Sequence, residues 1–184
     1  MSLLLAHPST PNDTVRSLRA QLQADLPGVL MFRYVLDADM ARVRVPQGLA
    51  EEPAGGPTDA LWKHTCFEAF VGPADAPDYY EFNFSPARHW AIYRFSAYRE
   101  AMPAGEKGRA PRICVRHSER GLELEATVHL ERLPGLRGVP RLRVGLTAVI
   151  EDDGGRLSYW GLKHPLPKPD FHHSGGFALE VARA

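Results

Sequence analysis

Apolar and polar residues alternate along most of the chain. Leu30, Phe32, Tyr34 and Leu36 are each separated by one residue, the period of a strand with one face buried. Asp37-Ala38-Asp39 then predicts a turn, and Val43 and Val45 resume the pattern, which predicts a hairpin. Tyr80, Phe82 and Phe84 alternate with Glu81, Asn83 and Ser85, and Trp90, Ile92 and Arg94 oppose Ala91, Tyr93 and Phe95. Aromatic residues therefore fall on both faces of this pair. Leu122, Leu124, Ala126, Val128 and Leu130 alternate with Glu123, Glu125, Thr127 and His129, the pattern of a strand whose polar face meets water. Leu142 to Ile150 leads into Asp152-Asp153-Gly154-Gly155, a hairpin turn, and Leu157 to Trp160 returns. Phe177, Leu179 and Val181 predict a closing strand. Roughly ten short strands at this spacing predict an all-β fold, an antiparallel β-sandwich of jelly-roll or immunoglobulin-like type.

Residues 14–26 fit two patterns. Val15, Leu18, Leu22 and Leu26 make a helical stripe with Asn12 or Asp13 as cap, while Leu18, Ala20, Leu22 and Ala24 alternate as in a strand. The surrounding strands favour β. The segment Met1 to Pro8 is read as a first strand, because its apolar run lacks a basic leader and the usual length of an export signal. The loops 47–59 and 101–111 are rich in Pro, Gly, Ala and charge, as surface connections are. No repeat or linker divides residues 1–184, so one domain is expected.

Composition narrows the function. The 184 residues carry 22 basic and 22 acidic side chains, a formal net charge of zero, so no field gathers nucleic acid or an anionic membrane. No apolar stretch approaches the roughly 20 residues of a membrane span. Cys66 and Cys114 stand far apart, outside any CxxC arrangement, which favours a reducing, cytoplasmic setting over a disulfide framework.

Several segments have a family likeness. Trp62 followed by Cys66-Phe67-Glu68, the run Tyr79 to Pro86, the strand Trp90 to Tyr93 and the terminal YWGLKHPLPKPDFHH (159–173) together resemble the bacterial DOMON-like proteins, which are related in fold to family-9 carbohydrate-binding modules. The resemblance implies an antiparallel β-sandwich. It also implies a small ligand, since related modules bind sugars between aromatic rings and other DOMON domains bind haem through Met and His.

The residues themselves suggest where such a ligand would sit. Trp62 and Trp160 offer indole faces for the C–H face of a pyranose, with core packing as the competing role. Glu81 and Asn83 share one face of an aromatic strand and could grip adjacent hydroxyls, or form ordinary sheet exterior. Glu68 also lies in an aromatic strand, where it must be paired or solvated. Pro165, Pro167 and Pro169 stiffen the segment after Trp160. That arm carries Lys163, His164, Asp170 and His172, which would converge on a ligand if the arm crossed the sandwich mouth. Alternatively, Asp170 and the histidines pin the arm to the sheet.

Other chemistries have weaker patterns. Asp170, His164, His172 and His173 are metal-ligand types, but match no recognised zinc spacing. Haem would need a Met–His or His–His pair from residues such as Met31, Met40 or Met102; Met31 reads as core, Met102 as loop, and no CxxCH is present. GxSxG and phosphate-cradling glycine loops are absent, and Cys66 lies in an apolar strand. The expectation is therefore a non-catalytic module for a carbohydrate or sugar-containing metabolite, without a cofactor. The rivals are a protein-interaction or dimerisation module and a haem-binding, metal-binding or hydrolytic protein using the arm.

Overall fold

Which strand neighbours which decides where a site can form, and the computed structural model describes this for residues 1–10, 12–46, 55–102 and 110–183. Residues 47–54 and 103–109, in the two loops expected from composition, lie outside the described residues. The strands are β1 (Ser2–Ala6), β2 (Val15–Gln23), β3 (Val29–Ala38), β4 (Cys66–Pro73), β5 (Tyr79–Phe84), β6 (Trp90–Ala97), β7 (Glu100–Ala101), β8 (Arg112–Ser118), β9 (Gly121–His129), β10 (Arg141–Glu151), β11 (Leu157–Gly161) and β12 (Leu179–Ala182). Among the described residues no helix is long and apolar enough to cross a membrane.

The strands form an antiparallel sandwich. One sheet runs β1-β2-β3-β9-β8; the other runs β7-β6-β5-β4-β10, with β11 and β12 sharing the far edge of β10. Strand β1 joins the two, because Ser2 to Leu4 pair with β2 while Leu5 and Ala6 pair with β11. Residues 15–23 are strand, paired with β3 in continuous register from Ser17 to Gln23 after a bulge between Val15 and Ser17. Their alternation outweighs the helical stripe because both neighbouring strands offer a ladder.

One expected hairpin does not form. Strand β3 is already flanked by β2 and β9, so nothing after Asp39 can pair with it. The chain turns at Asp39, whose carbonyl accepts from Arg42 N–H at 3.0 Å, and Val43 makes an isolated bridge with Asp152 instead. The hairpin through Asp152–Gly155 does form: Glu151 pairs with Leu157, and Gly155 takes φ 78°. Met31, expected in the core, lies on the outer side of β3 and is exposed, since Leu30 and Phe32 take the inner side.

The main core lies between the sheets. Leu18, Phe32, Tyr34 and Leu124 from one sheet meet Phe67, Phe82, Phe84 and Leu146 from the other. Phe32 lies 5.7 Å from Phe84 and Tyr34 lies 5.2 Å from Phe67, centroid to centroid. The Tyr34 hydroxyl crosses the gap and donates to the Glu68 carbonyl at 2.6 Å. This fixes the β4 backbone where its side chain turns outward.

Candidate functional site

Strands β4 and β5 are buried along nearly their whole length on both faces. A sheet with only one covered face would alternate, so something also covers the outer side. Register identifies what that side carries, because directly paired residues share a face. Glu68 pairs with Asn83 and Phe70 with Glu81; Glu81 in turn pairs with Tyr93, and Tyr79 with Phe95. Across β10 and β11, Val149 pairs with Tyr159.

The cover is the proline-stiffened arm. It lies flat over the outer face of this sheet rather than across the sandwich mouth. His7 Nε2 bonds the Leu166 carbonyl at 3.1 Å and His164 Nε2 bonds the Leu5 carbonyl at 2.7 Å, so two histidines lash its first half to β1 and the residues that follow. Gly145 and Gly161 give it room: a Cβ on Gly145 would come within 3.2 Å of the Phe177 ring, and one on Gly161 within 3.3 Å of His164. The second half carries Phe171, His172 and Phe177 onto Phe70, Tyr79 and Phe95, a second aromatic cluster on the outer face.

Where arm and sheet part, a cavity of about 410 Å3 remains, within the roughly 300–1,000 Å3 of small-ligand pockets. Glu68 and Glu81 reach it from β4 and β5, Tyr93 and Phe95 from β6, and Val149 and Tyr159 from β10 and β11. Trp62 comes from the short 3-10 turn Leu61–Lys63, edge-on to Tyr93 at 5.6 Å. Arg99, from the turn between β6 and β7, and Pro169 to His172 complete the wall.

The electrostatics centre on two carboxyl groups. Glu68 is 2% exposed, and among the described residues its Oε1 has no hydrogen-bond partner. Burial, then the nearby Glu81, pushes its carboxyl well above the usual range. Glu81 is also raised by burial, less so because Asn83 Nδ2 donates to its Oε1 at 2.7 Å and Arg99 lies near. Asn83 also accepts weakly from the Cys66 thiol at 3.5 Å. Wholly buried, it positions Glu81 from behind and does not line the cavity.

On the rim, His172 is held neutral. Burial first, and then Arg99, bring its pKa down to about 4. The Tyr79 hydroxyl accepts from Arg99 N–H at 3.2 Å and shares a hydrogen bond with His172 Nδ1 at 2.9 Å. His172 Nε2 lies 3.7 Å from Glu81 Oε2. Asp170 accepts from Arg99 at 2.9 Å, from the Tyr98 hydroxyl and from His172 N–H at 3.0 Å. Although burial opposes it, the bonds from Tyr98 and Arg99 keep Asp170 below the usual carboxylate range.

Of the residues read from the sequence, Trp62, Glu81, Asp170 and His172 meet at this cavity. Asn83 stands one layer behind. Trp160 faces the main core, 5% exposed, with Nε1 donating to Ser158 Oγ at 3.0 Å; His164 fastens the arm, and Lys163 does not line the cavity. Among the described residues no three His, Cys, Asp or Glu side chains are grouped to hold a metal. His173 accepts from Gly175 N–H at 3.1 Å and caps the turn at Ser174–Gly176.

No family model matches the chain, and no curated protein matches it in sequence. Solved structures do match in fold. A candidate carbohydrate-binding protein from Bacteroides uniformis superposes with a TM-score of 0.70 at 16% identity, covering 100% of this chain and 85% of its own. A family-9 carbohydrate-binding module from Caldicellulosiruptor kristjanssonii, in complex with glucose, gives 0.53 at 11% identity, covering 96% and 80%. The same organism's family-9 module with cellotriose gives 0.51 at 10% identity, covering 86% and 71%. At these identities the likeness is one of fold.

Proposed function

We propose that the protein is a binding module that takes a small carbohydrate, or the sugar part of a metabolite, into the cavity beneath the arm. Recognition is by stacking and hydrogen bonding, without chemistry on the ligand. The observation that carries this reading is a buried, unpartnered carboxyl oxygen on Glu68 inside an aromatic-walled cavity. Leaving such an atom unsatisfied costs about 1–3 kcal/mol, and a ligand hydroxyl is the kind of donor it lacks. Trp62, Tyr93 and Tyr159 offer flat surfaces for the C–H face of a pyranose, and Glu81 a second acceptor. That the solved structures of like fold include sugar complexes supports the same reading.

The test is a thermal-shift and calorimetric screen of monosaccharides and short oligosaccharides against the whole chain. A sugar at 100 times its Kd adds about 2.7 kcal/mol of stability, and Trp62→Ala should remove that gain. Absence of any shift across the sugars would overturn the proposal.

A further inference from the structure

The sugar reading leaves open which sugars suit a site with two carboxyl groups. Glu68 and Glu81 stand on adjacent strands and the same face, one register step apart, because Glu68 pairs with Asn83 and Glu81 with Phe70. Such diagonal neighbours lie roughly 7–8 Å apart at the backbone, close enough for long side chains to reach one guest. Both are almost wholly buried. Among the described residues neither pairs with a Lys or Arg; the one cation at the cavity, Arg99, is held by Asp170 at 2.9 Å. His172, 3.7 Å from Glu81, is neutral for the reasons given above.

An acidic pair alone would not define a ligand. Two further observations do: the Glu68 Oε1 is buried and bonded to nothing, and aromatic rings from Trp62, Tyr93, Phe95, Tyr159 and Phe171 surround the same space. Buried carboxyl groups without a cation and several aromatic rings around one hollow are the two halves of a cation-binding cage, since ring faces attract positive charge and an ammonium gives a buried carboxylate the partner it needs. Burial inclines both carboxyls to hold a proton while the cavity is empty; an ammonium group, unlike a neutral hydroxyl, lets them ionise on binding.

Resting on the carbohydrate reading, we infer that the cavity selects a ligand bearing an ammonium group, an amino sugar whose protonated amine sits between Glu68 and Glu81 while its ring lies against the aromatic wall. The amine supplies three N–H donors, enough for Glu68 Oε1 and for Glu81 Oε2, which Asn83 leaves free. Acetylation of that amine would remove the charge and abolish the preference.

Calorimetry on the whole chain with glucose, glucosamine, N-acetylglucosamine and tetramethylammonium separates the alternatives. Glucosamine should bind at least about tenfold more tightly than glucose or N-acetylglucosamine, a factor equal to 1.4 kcal/mol, and Glu68→Gln should bring the three together. Glu81→Gln serves as a second variant should Glu68→Gln fold poorly. Equal binding of glucose and glucosamine by the unaltered protein would overturn the ammonium inference and leave the sugar reading standing. Tetramethylammonium binding without any sugar would keep the cage and overturn the sugar reading. Failure of all four to bind would overturn both.

Discussion

The two faces of strands β4 and β5 are built from the same backbone and serve opposite ends. The inner face carries Phe67, Ala69, Val71, Tyr80, Phe82 and Phe84, and packs against the other sheet in the main core. The outer face carries Cys66, Glu68, Phe70, Tyr79, Glu81 and Asn83, and is equally sealed from solvent. Burial therefore does not distinguish them; satisfaction does. The inner face is apolar apart from the Tyr80 hydroxyl, and the Tyr34 hydroxyl reaches across to bond the β4 backbone. The outer face buries two carboxyl groups, one with an unpartnered oxygen. An apolar residue in place of Glu68 would leave no such unsatisfied oxygen, and this is the feature of the outer face that the proposed binding role accounts for.

Substitutions on either face sharpen or break that contrast. The largest effect is expected inside: Phe82→Ala or Trp160→Ala should destabilise by about 3–5 kcal/mol, read by denaturant unfolding. Either variant should still bind sugar where it remains folded, since neither side chain lines the cavity. Glu68→Gln should act in the other direction, raising stability at neutral pH because the amide has no proton to take up on folding, while weakening ligand binding.

The gain from Glu68→Gln should depend on pH. The folded carboxyl titrates above its ordinary value of 4.5, so the native protein holds a proton that the unfolded chain has released. Native stability then falls as pH rises above that value, and the advantage of Gln should widen as pH rises above about 5. His172 has the opposite sign. Its folded pKa is lowered from 6.5 to about 4, so the unfolded chain binds a proton that the native state refuses. Stability from this residue is lost as pH falls from 6.5 towards 4, and His172→Gln should flatten that acid limb. An NMR titration of the ring should place its midpoint near 4; a midpoint at an ordinary histidine value would show that the arm does not seal it.

Smaller effects belong to the cover. Tyr79→Phe removes the hydroxyl that joins His172 to Arg99 N–H and should cost about 1 kcal/mol, visible as faster hydrogen exchange at the β6–β7 turn. Trp62→Ala, at a 39% exposed position, should change stability by no more than about 0.5 kcal/mol yet weaken sugar binding. A large loss of stability there would place Trp62 with the core and remove it from the site.

Much of this was legible in the sequence, and what was missed has a physical reason. Strand alternation located Glu81 and Asn83 on a face opposite Phe82, and the prolines marked the arm that brings Asp170 and His172. The parity that would have separated Trp160 from Trp62 was also present. Leu146, Ala148 and Ile150 are the inward residues of β10, and Trp160 pairs with Ala148 across the hairpin, so it must point inward too. What could not be read was how far the arm travels. His164 binds Leu5 and His7 binds Leu166, contacts separated by 159 residues, and local pattern carries no information about such a distance. Arg99 was hidden for a similar reason: it reaches the cavity through a turn at φ 56°, set by local backbone rather than periodicity. The hairpin expected from Val43 and Val45 failed because alternation shows that a segment can pair, not whether its partner's edge is already taken.

The most direct test measures thermal unfolding of the unaltered protein and Glu68→Gln at about pH 8, each with and without glucosamine. The variant should melt higher without ligand and gain less from it, so that the two effects of one carboxyl group move in opposite directions. A variant that melts lower than the parent and gains as much from glucosamine would show that Glu68 is a structural residue, and that the outer face is a second core rather than a binding site.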